Sequence, residues 1–497
     1  MPLPVINLGS SQGQLIQQLG KMSNRHGLIA GATGTGKTVT LQVFAEGFSK
    51  LGVPVFAVDI KGDLSGLAIA GKSHPKIDER LEQIPLPDYR LQACPTLFWS
   101  IDNDKGHPLR TTISEMGPLL LANLLELNET QSGILYAAFE IADDEGMLLL
   151  DLKDLRSLLL WMGDNGAELR HEYGNIASAS IGAIQRRLLV LEEQGAEQFF
   201  AEPALQLDDL MNCDFSGRGV ISLLDASTLI HRSPKVYAAF LLWLLSELFE
   251  QLPEVGDADR PKLVLFFDEA HLLFNDAPKS LLNKIEQVVR LIRSKGVGIY
   301  FITQSPLDIP EDILGQLGMK IEHALRAFTA KDRKTVKAVA DSFRSNPAFD
   351  TEEIVTQLGI GEALISILDE EGTPTPVERV LISPPESQIG PIDSQTRQTL
   401  IQRSPIGNRY NQQVDRESAY ELLKKKAAAS AREQQEEQEK LEAEKEQLKL
   451  EKTKNRSSGR KRQSATEAMI KSAARSIGSQ LGRQIIRGVL GSIFGKR

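Results

Sequence analysis

Gly31-Ala32-Thr33-Gly34-Thr35-Gly36-Lys37-Thr38 sets glycines, a lysine and a hydroxyl at the spacing G-x-x-x-x-G-K-[ST]. Such a run can wrap its backbone amides around a phosphate, because glycine permits dihedrals and a close approach that a Cβ would obstruct. Lys37 would then sit between β- and γ-phosphates and the Thr38 hydroxyl would ligate magnesium, with Val39 carrying the cradle into the next element. A second constellation is Leu263-Val-Leu-Phe-Phe-Asp268-Glu269, an apolar strand ending in two acids. Strand ends of this kind face the ligand edge of an open α/β sheet. Asp268 suits a magnesium shell and Glu269 the polarisation of an attacking water, so the two acids divide the work. Transfer of phosphate onto small molecules seldom needs the second acid, which favours hydrolysis.

Ile299-Tyr-Phe-Ile-Thr303-Gln304-Ser305 is a further strand with a polar end. Gln304 or Thr303 there could hydrogen-bond a γ-phosphate or the attacking water, or simply cap the turn at Pro306. Arg290 and Arg293 close the helical stretch 281–294, where a cation complements the helix dipole. Arg293 is also a candidate arginine finger reaching a neighbouring subunit's γ-phosphate, and Arg326 and Arg333 compete for that role. Asp268-Glu269-Ala270-His271 spells the box of certain RNA helicases, but no companion Ser-Ala-Thr strand end occurs, so His271 reads as a helix-start residue. Arg25 and His26 could touch a nucleotide base or cap a sheet edge. Asp59, Lys61 and Asp63, at the end of the second strand, lie on the catalytic edge, where Asp59 could hold a water near the reacting centre or the group could simply form a turn.

These motifs need a sheet to hold them. Residues 27–31 read as a buried strand entering the glycine loop, residues 38–49 follow with helical spacing, and 54–59 form the next apolar strand between Gly52 and Lys61-Gly62-Asp63. That rhythm belongs to parallel strands covered by helices on both faces. Further strands fall at 219–225, 262–267, 298–303 and 363–368, with a Pro-initiated helix over 234–251. The expected fold is α/β, a P-loop NTPase core with a mainly parallel sheet, in two parts at 1–71 and 217–382. Between them, 72–216 is dominated by helical patterns and exceeds any connection a compact sheet needs, so it reads as an inserted, mainly helical subdomain. Residues 383–414, rich in Pro, Ser, Gln and Asn, read as an extended arm or linker. A charged, solvent-exposed helix is expected over 415–452, a sparse coiled-coil candidate, then a basic hinge over 453–464. A cationic amphipathic helix over 465–497 follows, its Ile470, Ile477, Leu481, Ile485 and Val489 recurring at helical spacing.

With 497 residues and 41 % apolar content, the chain can bury one large core or two ordinary ones. Cys94 and Cys213 cannot build a disulfide framework, and no C-x-x-C or H-E-x-x-H spacing points to zinc. No stretch of about 18 consecutive apolar residues offers a membrane span, so a cytoplasmic body is expected. The net charge of −9 hides an asymmetry: residues 453–497 carry +10, leaving −19 on the rest. An acidic body is no generic nucleic-acid surface, whereas the basic tail could meet DNA, RNA, an anionic bilayer at the inner membrane, or a neighbouring subunit.

The glycine loop at 31–38, Val58-Asp-Ile-Lys-Gly-Asp63, Phe267-Asp-Glu-Ala-His271, Arg293-Ser-Lys-Gly-Val-Gly298 and Ile302-Thr-Gln-Ser-Pro306 together closely resemble the bacterial HerA-like ATPases of the YjgR type, over most of residues 20–497. The resemblance implies a RecA-like core, ATP and Mg2+ as ligands, and kinship with the HerA and FtsK branch. Members of that branch form hexameric rings and pump double-stranded DNA, and related branches move DNA or protein through secretion channels. It implies Lys37 and Thr38 as loop lysine and magnesium threonine, Asp268 and Glu269 as metal-holding acid and catalytic base, and Gln304 as polar sensor. Arg293 lies where FtsK-type motors draw a trans arginine, with Arg326 or Arg333 near a second such position. Only about 26 residues precede the first expected core strand, so the N-terminal β-barrel by which archaeal HerA holds its nuclease partner is not expected, and that partnership is placed in doubt.

Overall fold

The computed structural model describes residues 4–454 apart from 103–104, 257, 275–278 and 328. The hinge beyond residue 454 and the cationic helix at 465–497 lie outside the described residues. Strands β1 (Val5–Ser11), β2 (Gln14–Leu19), β3 (Gly27–Ala30), β4 (Val55–Asp59), β5 (Thr96–Ser100) and β6 (His107–Pro108) come before the midpoint of the chain. They are followed by β7 (Ile221–Asp225), β8 (Leu263–Phe267), β9 (Val297–Thr303), β10 (Met319–His323), β11 (Glu362–Ser366) and β12 (Glu378–Ile382). All join one sheet in the order β2-β1-β12-β11-β10-β3-β9-β8-β4-β7-β5-β6. From β10 to β6 the pairing is parallel; on the other side of β10 each strand is antiparallel to its neighbour.

The central parallel strands β3, β4, β8 and β9 are largely continuous apolar runs because both faces are covered. Side chains alternate between two cores with the strand period. Ile29, Val55, Ala57, Phe266, Tyr300 and Ile302 pack against Leu41, Phe44, Ala45 and Phe48 of the helix Lys37–Lys50 that follows the glycine loop. Leu28, Ala30, Phe56, Val58, Leu265, Phe267 and Phe301 face the other way, into a core shared with the helices Ile113–Leu124, Glu129–Asp144, Leu152–Asp164, Ser178–Glu193 and Pro234–Gln251.

Three expectations are corrected here. Residues 5–19, expected to precede the first core strand, are two strands of the sheet itself. Gly9 lets β1 lie against β12, since a Cβ there would stand 2.1 Å from the Leu381 carbonyl oxygen. The stretch 72–216 is mainly helical but also supplies β5 and β6, and its helices share the core of the sheet. Thr96-Leu-Phe-Trp-Ser100 is short and aromatic, which suits a pleated surface better than a helix. The supposed arm after residue 382 is packed. Glu46, inside the glycine-loop helix, accepts the amides of Glu386 and Ser387 at 2.8 Å each, so a polar segment is satisfied without regular structure. The helix Ser394–Gln402 follows, and Tyr410 is fully buried edge-on to Trp99.

The charged helix runs Ala419–Lys454. Its first turns dock on Leu152–Asp164: Ala419 and Leu423 are buried and the Tyr420 amide donates to Asp154 at 3.0 Å. Every residue from Lys424 to Leu450 is exposed. Among the described residues no helix is long and apolar enough to cross a membrane.

Candidate active site

β3 delivers the chain into the glycine loop at the carboxyl edge of the sheet. Gly31, Gly34 and Gly36 hold φ of 140°, 77° and 118°, a region that strains any residue with a Cβ. At Gly31 the added carbon would also stand 2.5 Å from the His323 Cβ. Gly36 precedes the helix, whose first residue is Lys37. The Lys37 ammonium donates to the carbonyls of Gly31 at 2.6 Å and Ala32 at 3.0 Å, and the Thr35 hydroxyl donates to Ala32 at 2.7 Å. Burial lowers the Lys37 pKa and Lys61 adds to that; Glu269, Asp268 and Glu322 oppose it.

One flank of the loop is pinned by β10 and β11. The Ala32 amide donates to the Ala324 carbonyl at 3.0 Å and the Gly361 amide to the Thr35 carbonyl at 3.0 Å. His323 Nδ1 lies 2.9 Å from the Glu362 carbonyl oxygen, which can only accept, so Nδ1 carries the proton and Nε2 accepts from the Thr40 hydroxyl at 2.8 Å. Burial holds this imidazole neutral, its pKa near about 4.

On the other flank, β8 ends in the two acids. Burial pushes Asp268 up to about 6, opposed by Lys61, and its Oδ1 accepts the Glu269 amide at 2.9 Å. Glu269 itself takes φ 46°, a left-handed conformation that costs a non-glycine residue about 1–3 kcal/mol. Its carboxylate pairs with the Lys61 ammonium, accepts from Gln304 Nε2 at 3.3 Å and lies 3.3 Å from His271 Nδ1. Burial alone would raise the Glu269 pKa. Lys61 outweighs it, with Gln304 and His271 helping, and holds the carboxyl below the usual value.

The structure therefore brings Lys37, Asp268, Glu269 and Gln304 together with the loop residues Gly31 to Thr38. Thr303, the alternative to Gln304, is used elsewhere: its hydroxyl donates to Asp308 at 2.7 Å. Asp59 forms the turn, accepting the amides of Gly62 at 2.7 Å and Leu64 at 3.1 Å, and burial with Asp63 beside it pushes its pKa up to about 7. Arg293 does not join the site of this chain. It is exposed just ahead of β9, beside Asn24, at the opposite edge of the sheet. His26 is at that edge too, and the base-contact option for it falls. Its Nε2 donates to the Val289 carbonyl at 2.9 Å, its Nδ1 accepts the Ile299 amide at 3.0 Å, and burial keeps it neutral with a pKa of about 4. Arg326, by contrast, is exposed two residues beyond the carbonyl that holds Ala32, and Arg333 lies in the helix Ala330–Asp341.

Two contributors, Glu322 and His323, escaped the sequence reading, and a third, Lys61, was placed at this edge without its partner. Lys61 stood in a turn-forming group, and only the pairing of β4 with β8 shows that it meets Glu269. Glu322 and His323 close a strand whose alternating polar residues mask it. Glu322 is 2 % exposed, lies in register with Ala30, and burial raises its pKa well above the usual range. The signal available was a polar pair following Met319-Lys-Ile, the same pattern as Thr303-Gln304.

The side chains fit a magnesium nucleotide. The loop has the left-handed glycines and the lysine for phosphates; Thr38, in the first turn of the helix, and Asp268, at the facing strand end, are oxygen donors of the kind magnesium takes alongside phosphate. A glycine loop after one strand of a mostly parallel sheet, with an acidic pair two strands away, defines a P-loop NTPase of the α/β, RecA-like type. Within that class the chain belongs to the helicase HerA-like C-terminal family, whose model matches residues 6–497. It is 22 % identical over 361 residues to the DNA double-strand break repair helicase HerA of Sulfolobus acidocaldarius, covering 69 % of this chain and 62 % of that protein, under two thirds of its length. The fold is similar to that of plasmid coupling protein TrwB in complex with ADP and Mg2+, with TM-score 0.51, 14 % identity, and coverage of 78 % of this chain and 95 % of that one. The unbound monoclinic form of the bacterial conjugative coupling protein TrwB gives TM-score 0.50 at 14 % identity, covering 77 % and 91 %.

Proposed function

We propose that the protein is a magnesium-dependent ATPase that assembles as a homohexameric ring and uses hydrolysis to translocate or remodel DNA, and that within its family it stands with the YjgR type. The observation that carries the hydrolytic part is the setting of Glu269: a carboxylate kept ionised by Lys61, near enough to the loop lysine Lys37 to act on its charge, and contacted by Gln304. A bound magnesium ion would supply charge neutralisation of the phosphates, held by Thr38 and Asp268. Lys37 offsets the charge of the phosphate oxygens. Glu269 takes the proton of an attacking water, worth about 10²–10⁴-fold in general-base chemistry. Gln304 donates to Glu269 and orients it, a contact that supports a sensor role for its amide.

The ring and the DNA rest on kinship, since the relative is named for a DNA repair helicase and the fold neighbour for plasmid coupling. Arg293 supports the ring in one respect: at the far sheet edge it can serve a nucleotide only across an interface. Arg326, near the loop of its own subunit, is the alternative cis residue. ATP turnover with and without single- and double-stranded DNA of graded length tests the motor, with the mass measured alongside a non-hydrolysable analogue. Stimulation by DNA in a hexamer is expected. A second reading, ATP-regulated assembly or a membrane-peripheral scaffold, is favoured by the long exposed helix Ala419–Lys454 and the −19 body; an intact hexamer unmoved by any DNA would establish it over the motor. Mixing Arg293→Ala with Lys37→Ala subunits should restore some activity through interfaces that pair an intact loop with an intact arginine, and no restoration refutes the trans role.

A further inference from the structure

The phosphates of a nucleotide have their place in the glycine loop, but phosphates are common to every nucleotide, and the nucleoside must lie somewhere. Its direction follows from the sheet. Glu269 and Asp268 stand at the end of β8, on the β9 side of β3, so the γ-phosphate end points that way. The nucleoside leaves the loop on the opposite side, toward β10 and β11.

Residues 359–361 cross that side. The Gly361 amide donates to the Thr35 carbonyl at 3.0 Å, and a Cβ on Gly36 would stand 3.3 Å from the Gly361 Cα, so this segment is seated directly against the start of the Lys37–Lys50 helix. Gly361, at φ 75°, makes the turn, and between two glycines sits Ile360, 74 % exposed. Behind the segment is Arg80, from the helix Pro75–Gln83. Its guanidinium donates to the carbonyls of Gly361 at 3.0 Å and of Ile360 at 3.4 Å. Glu362 does not crowd the spot, since its carboxylate accepts the Gly359 amide at 2.7 Å and pairs with Arg379 at 2.9 Å.

An exposed aliphatic side chain on a braced backbone, one hydrogen bond from a phosphate loop, matches the flat apolar face of a purine. Guanidinium groups also stack on such rings. We infer that residues 359–361, braced by Arg80, form the seat of the purine base of the nucleotide whose phosphates the glycine loop holds, an inference that rests on the proposed nucleotide-binding role of that loop. Val39, partly exposed in the first turn of the helix, lies on the way from phosphate to base.

The test compares a ligand with a base and one without. Affinities of the full-length protein for ADP and for inorganic tripolyphosphate, both with magnesium, are measured calorimetrically for wild type, Ile360→Asp, Ile360→Leu and Arg80→Ala. Ile360→Asp should weaken ADP by about tenfold, the equivalent of losing part of one buried aliphatic contact, and leave tripolyphosphate within about twofold. Ile360→Leu should keep both affinities, and Arg80→Ala should follow Ile360→Asp in direction. Equal losses for both ligands in Ile360→Asp would mean a merely structural segment and overturn the seat, as would an unchanged ADP affinity. Failure of wild type to bind either ligand is a different outcome, which removes the nucleotide-binding role itself and the seat with it.

Discussion

The two edges of the central sheet bury polar groups for opposite ends. At the amino edge, His26 exchanges hydrogen bonds with the Val289 carbonyl and Ile299 amide, the Tyr300 hydroxyl donates to the Ser23 carbonyl at 2.9 Å, and Ser49 donates to the Gly219 carbonyl at 2.6 Å. Each group meets a backbone partner, neutral and complete. At the carboxyl edge, Asp268 and Glu269 face Lys37 and Lys61, and Glu269 sits in a backbone conformation that side chains avoid. The difference lies in the partners and not in residue type, because His323, at the charged edge, also donates to a backbone carbonyl, accepts from the Thr40 hydroxyl and is likewise held neutral by burial. Buried polar groups satisfied by backbone fix a structure, whereas buried charges that balance one another make a site.

Variants can separate the two behaviours. The largest effect belongs to the charged edge: Lys37→Ala should abolish nucleotide binding or hydrolysis, while Glu269→Gln should keep ATP and magnesium and lose at least about 10²-fold in turnover. Affinity and turnover measured on the same preparations decide it, and wild-type turnover from Glu269→Gln removes the base assignment.

Next comes the amino edge. His26→Leu strands an amide and a carbonyl and should cost about 2–3 kcal/mol at pH 7 with turnover within about twofold. That cost should shrink by about 2 kcal/mol at pH 4.5, since the native imidazole, with a pKa of about 4, stays largely neutral while the unfolded one, near 6.5, takes up a proton. The wild type thus loses stability as pH falls from 6.5 toward 4, and the variant lacks that loss. Denaturant unfolding at both pH values checks it; a pH-independent difference would mean His26 is not buried neutral.

The smallest effect sharpens the contrast most. Glu269→Gly relieves the φ of 46° and should raise stability by about 1 kcal/mol while abolishing turnover. A stability loss on unfolding would show that Glu269 contributes to the fold as His26 does.

The site was legible in sequence where chemistry and spacing coincide: the glycine loop, the acidic strand end and Gln304 lie on elements whose apolar runs identify them. The fold was less so. Gln14-Leu-Ile-Gln-Gln-Leu is an edge strand with little apolar alternation, and Met319-Lys-Ile-Glu-His buries an acid that periodicity assigns to solvent. Lys61 and Glu269 are neighbours only because β4 lies beside β8, a fact of strand order that no local pattern carries. Residues 383–410 misled for a related reason: their polar groups are answered by distant partners such as Glu46, and composition records only that they are polar.

The helix Ala419–Lys454 is docked at one end, where Lys426 also pairs with Glu145 at 2.6 Å, and is solvent-exposed from Lys424 to Leu450, about 40 Å at 1.5 Å per residue. It is mechanically a pointer. A rotation of about 5° in the Leu152–Asp164 helix under its base would sweep its far end through about 3–4 Å at that length. Since that base helix shares its core with the sheet carrying Lys37 and Glu269, small rearrangements of the catalytic layer would be read out, magnified, at the helix tip.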